Sequence, residues 1–315
     1  MRHIIITGAG GLVATELIYE VLRRGDAHLY LISTHVENIR NRYLKYGNNV
    51  SCFTLDSFAG FSKENSIKYD YCIHTAFSRS SEGSQIVKSI EYHRNLIELL
   101  KNLDLGVFVN ISSQSVYGKT SEPLWTENTP LDPDYPYALG KYFSEVITEQ
   151  MLCGSGIKWT NLRLCSVCEK ARFVNVFVKN AINGVPIRLT APEQQCSFID
   201  VRDVADALCR FMERACDIPI LPCYNLGANI VTTIRSIAHI VKEAGTKHYG
   251  LNDISISKEG SGNHIRTGMD SSLFINTFLW SPKYSIEDMV IELFEMNVNP
   301  RCGVYPISFK LVYSL

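Results

Sequence analysis

A chain of 315 residues with 46% apolar and 20% charged residues has ample material for a buried core, which excludes an intrinsically disordered protein. Its 31 basic and 32 acidic residues give a formal net charge of -1, which excludes a basic footprint for nucleic acid and a polybasic anchor for a membrane surface. The ten cysteines are scattered irregularly, several inside apolar runs such as Tyr71-Cys72-Ile73, and read as small hydrophobes in a reducing cytoplasm rather than as a disulfide scaffold.

Ile4-Ile5-Ile6 predicts a first strand. The run breaks at once into Thr7-Gly8-Ala9-Gly10-Gly11, too short and too glycine-rich for a signal peptide, and nowhere does the chain offer the roughly 18 apolar residues of a membrane helix. Leu12, Val13, Leu17, Ile18, Val21 and Leu22 recur at helical spacing, and Arg23-Arg24-Gly25 supplies a helix stop. Residues 28–32, 71–74 and 107–111 predict further strands, with an amphipathic helix over 86–103 between the last two. Strands that are apolar almost throughout, alternating with helices, predict an α/β fold: a Rossmann-type doubly wound parallel sheet covered on both faces.

Beyond residue 165 turn signals multiply: Asn183-Gly184, Val185-Pro186 and Ala191-Pro192. The expected division is a dinucleotide-binding domain over 1–165, with 198–218 packing back onto it, a smaller mixed α/β substrate lobe from 166–197 and 219–300, and a tail over 301–315. The lone Cys-x-x-Cys, Cys165 to Cys168, lacks a second pair at zinc spacing, so no metal is expected.

The glycine turn between the first strand and first helix carries chemistry. A tight turn without a Cβ lets the backbone approach a pyrophosphate, and the helix amino terminus offers unpaired N–H groups and a positive dipole end. Gly8, Gly10, Gly11 and Leu12 are therefore expected to hold a dinucleotide. An acid at the end of the second strand would bind the ribose hydroxyls and favour NAD(H). Ser33-Thr34-His35 stands there instead, with Arg40 and Arg42 beyond, so nothing repels a 2′-phosphate and NADP(H) is favoured. The alternative is that both arginines form a solvated face and the cofactor is NAD(H).

Tyr137-Ala138-Leu139-Gly140-Lys141 places a phenol and an ammonium on one helix face. A phenol near its ordinary pKa of about 10 is a poor acid–base group at neutral pH unless a positive charge favours its phenolate, and Lys141 is expected to supply that charge. Upstream, the strand of 107–111 ends in Ser112-Ser113-Gln114-Ser115, at the carboxyl end where such sheets bind ligands. Ser113 is placed to orient the oxygen on which Tyr137 acts, while loop capping is the plainer role for Ser115.

With Gly8, Gly11 and Ala14, the Ser113/Tyr137/Lys141 triad, Val116-Tyr117-Gly118 and the stretch Ser197 through Ala205, the chain resembles an extended short-chain dehydrogenase/reductase of the NAD-dependent epimerase/dehydratase family over residues 1 to 295 or so. The resemblance implies that Asp56 contacts the adenine, that Ala76 lies along the cofactor and that Leu162-Arg163-Leu164 closes the nicotinamide side. It also implies nucleotide-sugar substrates, a homodimer built through the helix of Tyr137 and Lys141, and a place in polysaccharide biosynthesis. Relatives that act as dehydratases carry an Asp-Glu pair just after the hydroxyl residue. Here Gln114-Ser115 stands in those places, and neither can act as a carboxylate.

The expected activity is reduction of a 4-keto-6-deoxy nucleotide-diphosphate sugar, with 4-epimerisation on a tightly held NAD and a non-catalytic NAD(P)-binding regulator as alternatives. Substrate contacts are assigned to Ser115, Arg172, Arg188 and Arg266, because Cys196 stands where the family often presents a diphosphate-gripping arginine.

Overall fold

The computed structural model describes residues 1–80, 82–118, 124–168, 172–258 and 268–298. Its first half runs β1 (Arg2–Thr7), α1 (Leu12–Arg24), β2 (Ala27–Ile32), α2 (Val36–Tyr43), β3 (Val50–Phe53), α3 (Leu55–Glu64), β4 (Lys68–His74), α4 (Gly83–Leu100), β5 (Asp104–Ser113), α5 (Pro136–Leu152) and β6 (Lys158–Leu164). The second half continues β7 (Ser166–Val167), α6 (Arg172–Ile182), β8 (Ile187–Leu189), β9 (Gln195–Ile199), α7 (Val201–Arg214), β10 (Cys223–Leu226), β11 (Val231–Thr233), α8 (Ile234–Tyr249), β12 (Ile256–Lys258), α9 (Ser272–Phe278) and α10 (Ile286–Val298).

Seven strands form one parallel sheet in the order β3-β2-β1-β4-β5-β6-β10. Strand side chains alternate between faces, so Ile4 and Ile6 enter the core shared with α1 and α7 while Ile5 enters the core shared with α4 and α5. Both faces are covered, which is why Ile4-Ile5-Ile6 is apolar without interruption. The strand order reverses between β1 and β4, and that switch opens a crevice at the carboxyl ends of the strands. The helix stop is as the sequence implies: Gly25 takes a left-handed conformation behind Arg23 and Arg24 and caps α1 onto Val21.

The smaller lobe is mixed. β11, β9 and β7 form one short sheet and β12 pairs with β8, while α6, α8 and α10 enclose a separate core around Val178, Ile237, Val241, Val290 and Phe294. The expected lobe boundary needs correction. β10, placed by sequence in the substrate lobe, pairs with β6 as the seventh strand of the main sheet. α9 follows it, with Phe274 and Phe278 packed in the main core. α7 packs onto α1, with Val204, Leu208 and Phe211 in the main core. Among the described residues no helix is long and apolar enough to cross a membrane. The tail over 301–315 lies outside the described residues.

Candidate active site

Gly8 adopts φ +68°, and a Cβ there would lie 2.8 Å from the Ala76 backbone and the Thr75 hydroxyl. That close approach ties the glycine turn to the end of β4, so Ala76 flanks it directly. Ala9 N–H bonds to Ile32 and joins the same turn to the end of β2. Gly11 is the N-cap of α1 and provides no side-chain cap, and the first turn carries no acid. The first helical bond runs from Thr15 to Gly11, leaving the Leu12 and Val13 N–H groups without an intrahelical partner. Both residues line a cleft of about 670 Å³ that reaches Ser113, Tyr137 and Lys141. A dinucleotide fits this edge: the N–H groups suit a pyrophosphate, and no side chain fills the turn.

Pro136 presets the first turn of α5, and Tyr137, Lys141 and Glu145 follow at four-residue intervals on one face. Gly140 lets that face come close, since a Cβ there would lie 2.5 Å from Ile86 and 3.0 Å from the Phe77 ring. Phe77 stands edge-on to Tyr137 at 6.1 Å, and the Lys141 ammonium sits 4.2 Å above the same ring. Lys141 Nζ also donates to the Ile111 carbonyl at 2.6 Å.

The three sequence-assigned residues thus converge, but their electrostatics differ from the expectation. Burial pushes the Tyr137 phenol above its ordinary pKa, opposed by the charge of Arg79 and a hydrogen bond with Ser113. Burial lowers Lys141 to about 7, against the pull of Glu145 and helped by Arg79. A cation that opposes the rise at Tyr137 is Arg79, an exposed residue of the β4–α4 loop that lines the cleft.

The serines divide their labour. Ser112 donates to Glu145, and the Ser113 hydroxyl accepts from Ser115 N–H at 3.2 Å, so the capping role assigned to Ser115 belongs to Ser113. Behind Lys141, Glu145 forms a buried pair with Arg163 at 2.8 Å. Arg163 donates to Tyr117 at 3.0 Å, and Tyr117 donates to Asn225 on β10 at 2.7 Å. Of the stretch assigned to the nicotinamide side, Leu164 lines the cleft while Arg163 is taken up in this network. His74 and His93 lie beside it, ring centroids 4.8 Å apart, and burial lowers His93 to about 3.

Other assigned residues stand apart from the cleft. Ser33 ends β2 close to the glycine turn, but Arg40 is paired to Glu37 on the exposed side of α2 and Arg42 donates to Thr15 at 3.1 Å. Asp56 is exposed in the first turn of α3, and Arg188 is exposed on β8, away from the cleft lining. Arg266 and the side chain of Arg172 lie outside the described residues. The residues missed were Phe77, Arg79, Glu145 and Trp125. Three had a readable signal: Phe77 and Arg79 follow the fourth strand at the switch point, and Glu145 lies one turn beyond Lys141. Trp125, which lines the cleft from a loop, had none.

A glycine turn at a sheet switch point, facing a buried Tyr-Lys helix, is the arrangement of a Rossmann-fold, dinucleotide-dependent protein. The family model for the NAD dependent epimerase/dehydratase family matches residues 4–227, and the chain belongs to that family. It is 22% identical to UDP-glucose 4-epimerase 2 of Arabidopsis thaliana, over 96% of this chain and 97% of that protein. It is 22% identical to dTDP-glucose 4,6-dehydratase of Streptomyces niveus, over 80% of this chain and 73% of that one. In fold it resembles dTDP-glucose 4,6-dehydratase from Bacillus anthracis, with a TM-score of 0.76, 17% identity and coverage of 96% and 98%. UDP-N-acetylglucosamine 4-epimerase from Bacillus cereus gives a TM-score of 0.75, 19% identity and coverage of 95% and 97%.

Proposed function

We propose that the protein oxidises and re-reduces C4 of a nucleotide-diphosphate hexose and so acts as a 4-epimerase. The observation that carries this reading is the convergence of Ser113 and Tyr137 at one cleft with the α1 amino terminus. Gly8, Gly10, Gly11, Leu12, Ser33 and Ala76 would hold the dinucleotide along the sheet edge, and Lys141 would fix its nicotinamide end. When bound, the nicotinamide supplies the acceptor, and then the donor, of the C4 hydride. Tyr137 takes the proton from the 4-hydroxyl as that carbon becomes a carbonyl, and Ser113 holds the same oxygen. After the sugar presents its other face, Tyr137 returns the proton to O4. Arg79 favours the phenolate that the first step needs. Gln114-Ser115 supplies no carboxylate for elimination, which separates this reading from a dehydratase.

Net reduction of a 4-keto sugar is the second reading, and Ser33 favours it, since no acid stands at the end of β2 to retain NAD(H). The arginines invoked for NADP(H) weigh less, because Arg40 and Arg42 are engaged by Glu37 and Thr15. Exposed Val87 on α4 with Leu139 and Phe143 on α5 supports a homodimer through these helices. A cytoplasmic place is supported by thiols such as Cys72, Cys165 and Cys209 that serve as buried core.

Incubation with UDP-glucose or dTDP-glucose should yield the C4 epimer without net change in nicotinamide absorbance. Net NADPH oxidation by a 4-keto sugar nucleotide would instead establish the reductase, and tight cofactor binding with neither reaction would leave a regulator. Tyr137→Phe should lower turnover on the order of 10²-fold or more with cofactor binding retained. Unchanged turnover removes Tyr137 from the chemistry.

A further inference from the structure

The Lys141 ammonium is only 4% exposed, and the ionisable groups around it do little to hold its charge. Glu145, one turn further along α5, draws the charge in, but it is already paired to Arg163 at 2.8 Å and accepts from Ser112. Arg79, from the β4–α4 loop, opposes the charge, as burial does. His74 on β4 and His93 on α4 are close enough to feel Lys141, but burial holds both far below the ordinary histidine range, so they are neutral and supply no counter-charge. Tyr137 supplies none either while its phenol is held above the usual range by burial.

Two neutral groups remain. The Ile111 carbonyl accepts from Lys141 Nζ at 2.6 Å, which satisfies one of the three donors that an ammonium carries. Phe77 covers another side, with its ring centroid 4.2 Å from Nζ. The face of an aromatic ring carries partial negative charge and attracts a cation, most strongly where water is excluded. Gly140 makes the approach possible, because a Cβ there would lie 3.0 Å from the Phe77 ring and 2.5 Å from Ile86. The same ring meets Tyr137 edge-on at 6.1 Å, so one side chain touches both residues of the Tyr-Lys pair. An aliphatic side chain would fill the space but offer the ammonium no such face.

We infer that Phe77 is a positioning residue for Lys141: its ring face holds the ammonium against the Ile111 carbonyl, beside Tyr137, and favours the charged form. The inference rests on the proposed function for the use made of that charge, which is to hold the nicotinamide end of the dinucleotide. Phe77 itself does no chemistry and acts through Lys141.

The protonation of Lys141 tests this directly. Lysine labelled with carbon-13 at Cε reports it by NMR in the full chain, with the signal assigned by its absence in Lys141→Met. Phe77→Leu should lower the titration midpoint of Lys141 by about half a pH unit or more, because the charged form loses a favourable contact. A difluorinated phenylalanine at position 77 keeps the shape of the ring while thinning the charge on its face, and should lower the midpoint in the same direction by a smaller amount. Unchanged circular dichroism in both proteins excludes misfolding as the cause. A midpoint unmoved by fluorination overturns the inference, and so does a midpoint that rises in Phe77→Leu, the result expected if the ring merely kept water out. The measurement needs neither substrate nor turnover. Midpoints that fall in a protein that turns over no sugar nucleotide overturn the functional reading and leave the role of Phe77 standing, whereas unmoved midpoints in an active epimerase overturn only the role of Phe77.

Discussion

Two polar regions flank Lys141, and they are built on opposite principles. Behind it, Glu145, Arg163, Ser112, Tyr117 and Asn225 form a chain in which each group meets a partner, and Asn225 goes on to the Trp125 and Asp270 carbonyls. In front of it, the cleft-lining residues Gln114, Ser115 and Trp125 hold buried atoms with no partner among the described residues. Satisfied networks stiffen a fold, whereas each buried atom left unpaired costs stability.

The sharpest way to break the contrast is to cut the satisfied side. Glu145→Ala strands the Arg163 guanidinium in a pair whose side chains are each 7% exposed, and urea unfolding should show a loss of about 3–5 kcal/mol. Replacing both, as Glu145→Leu with Arg163→Met, should recover most of that loss. If the double variant is as unstable as the single, the pair is worth more than its desolvation. Lys141 comes next. Its folded pKa of about 7 lies below the unfolded value near ~10.4, so the unfolded chain binds that proton more tightly between the two and stability rises with pH across the window. Lys141→Met should therefore raise Tm by several degrees at pH 6, and the gain should fade as pH approaches ~10. A gain independent of pH would show that the buried charge is not its source.

The smallest effect belongs to the unsatisfied side. Gln114→Leu should change stability by no more than about 1 kcal/mol, because the unpaired buried acceptor it removes is offset by loss of the Nε2 hydrogen bond to Ser166. A loss comparable to that of Glu145→Ala would mean that Gln114 is structural, and the two regions would no longer differ in kind.

The legible features were those with local causes. Uninterrupted apolar strands, a glycine turn and the Tyr137–Lys141 spacing each follow from backbone geometry within a few residues, and they delivered the parallel sheet and the helix that carries Tyr137 and Lys141 to the cleft. What was not legible depends on distance along the chain. β10 is four residues long and reads like any short lobe strand, and only its pairing to β6, some sixty residues earlier, places it in the main sheet. The charge on Tyr137 was assigned to Lys141 because sequence shows spacing but not desolvation. Burial lowers the pKa of Lys141, and Arg79, 58 positions before Tyr137, bears on the phenol as well. Arg40 went the same way: a residue free on paper is engaged by Glu37, three positions earlier.

The return of β10 also bears on how the chain can be divided. Cutting it after residue 165 would keep the glycine turn, Ser113, Tyr137 and Lys141, yet it would strip the outer neighbour from β6 and the helix that covers α1. An open row of backbone groups on β6 and a bare apolar stripe on α1 would both face water, the usual route to edge-to-edge aggregation. The nucleotide-binding half is therefore not a separable module: it is finished by chain that has already crossed into the other lobe and come back.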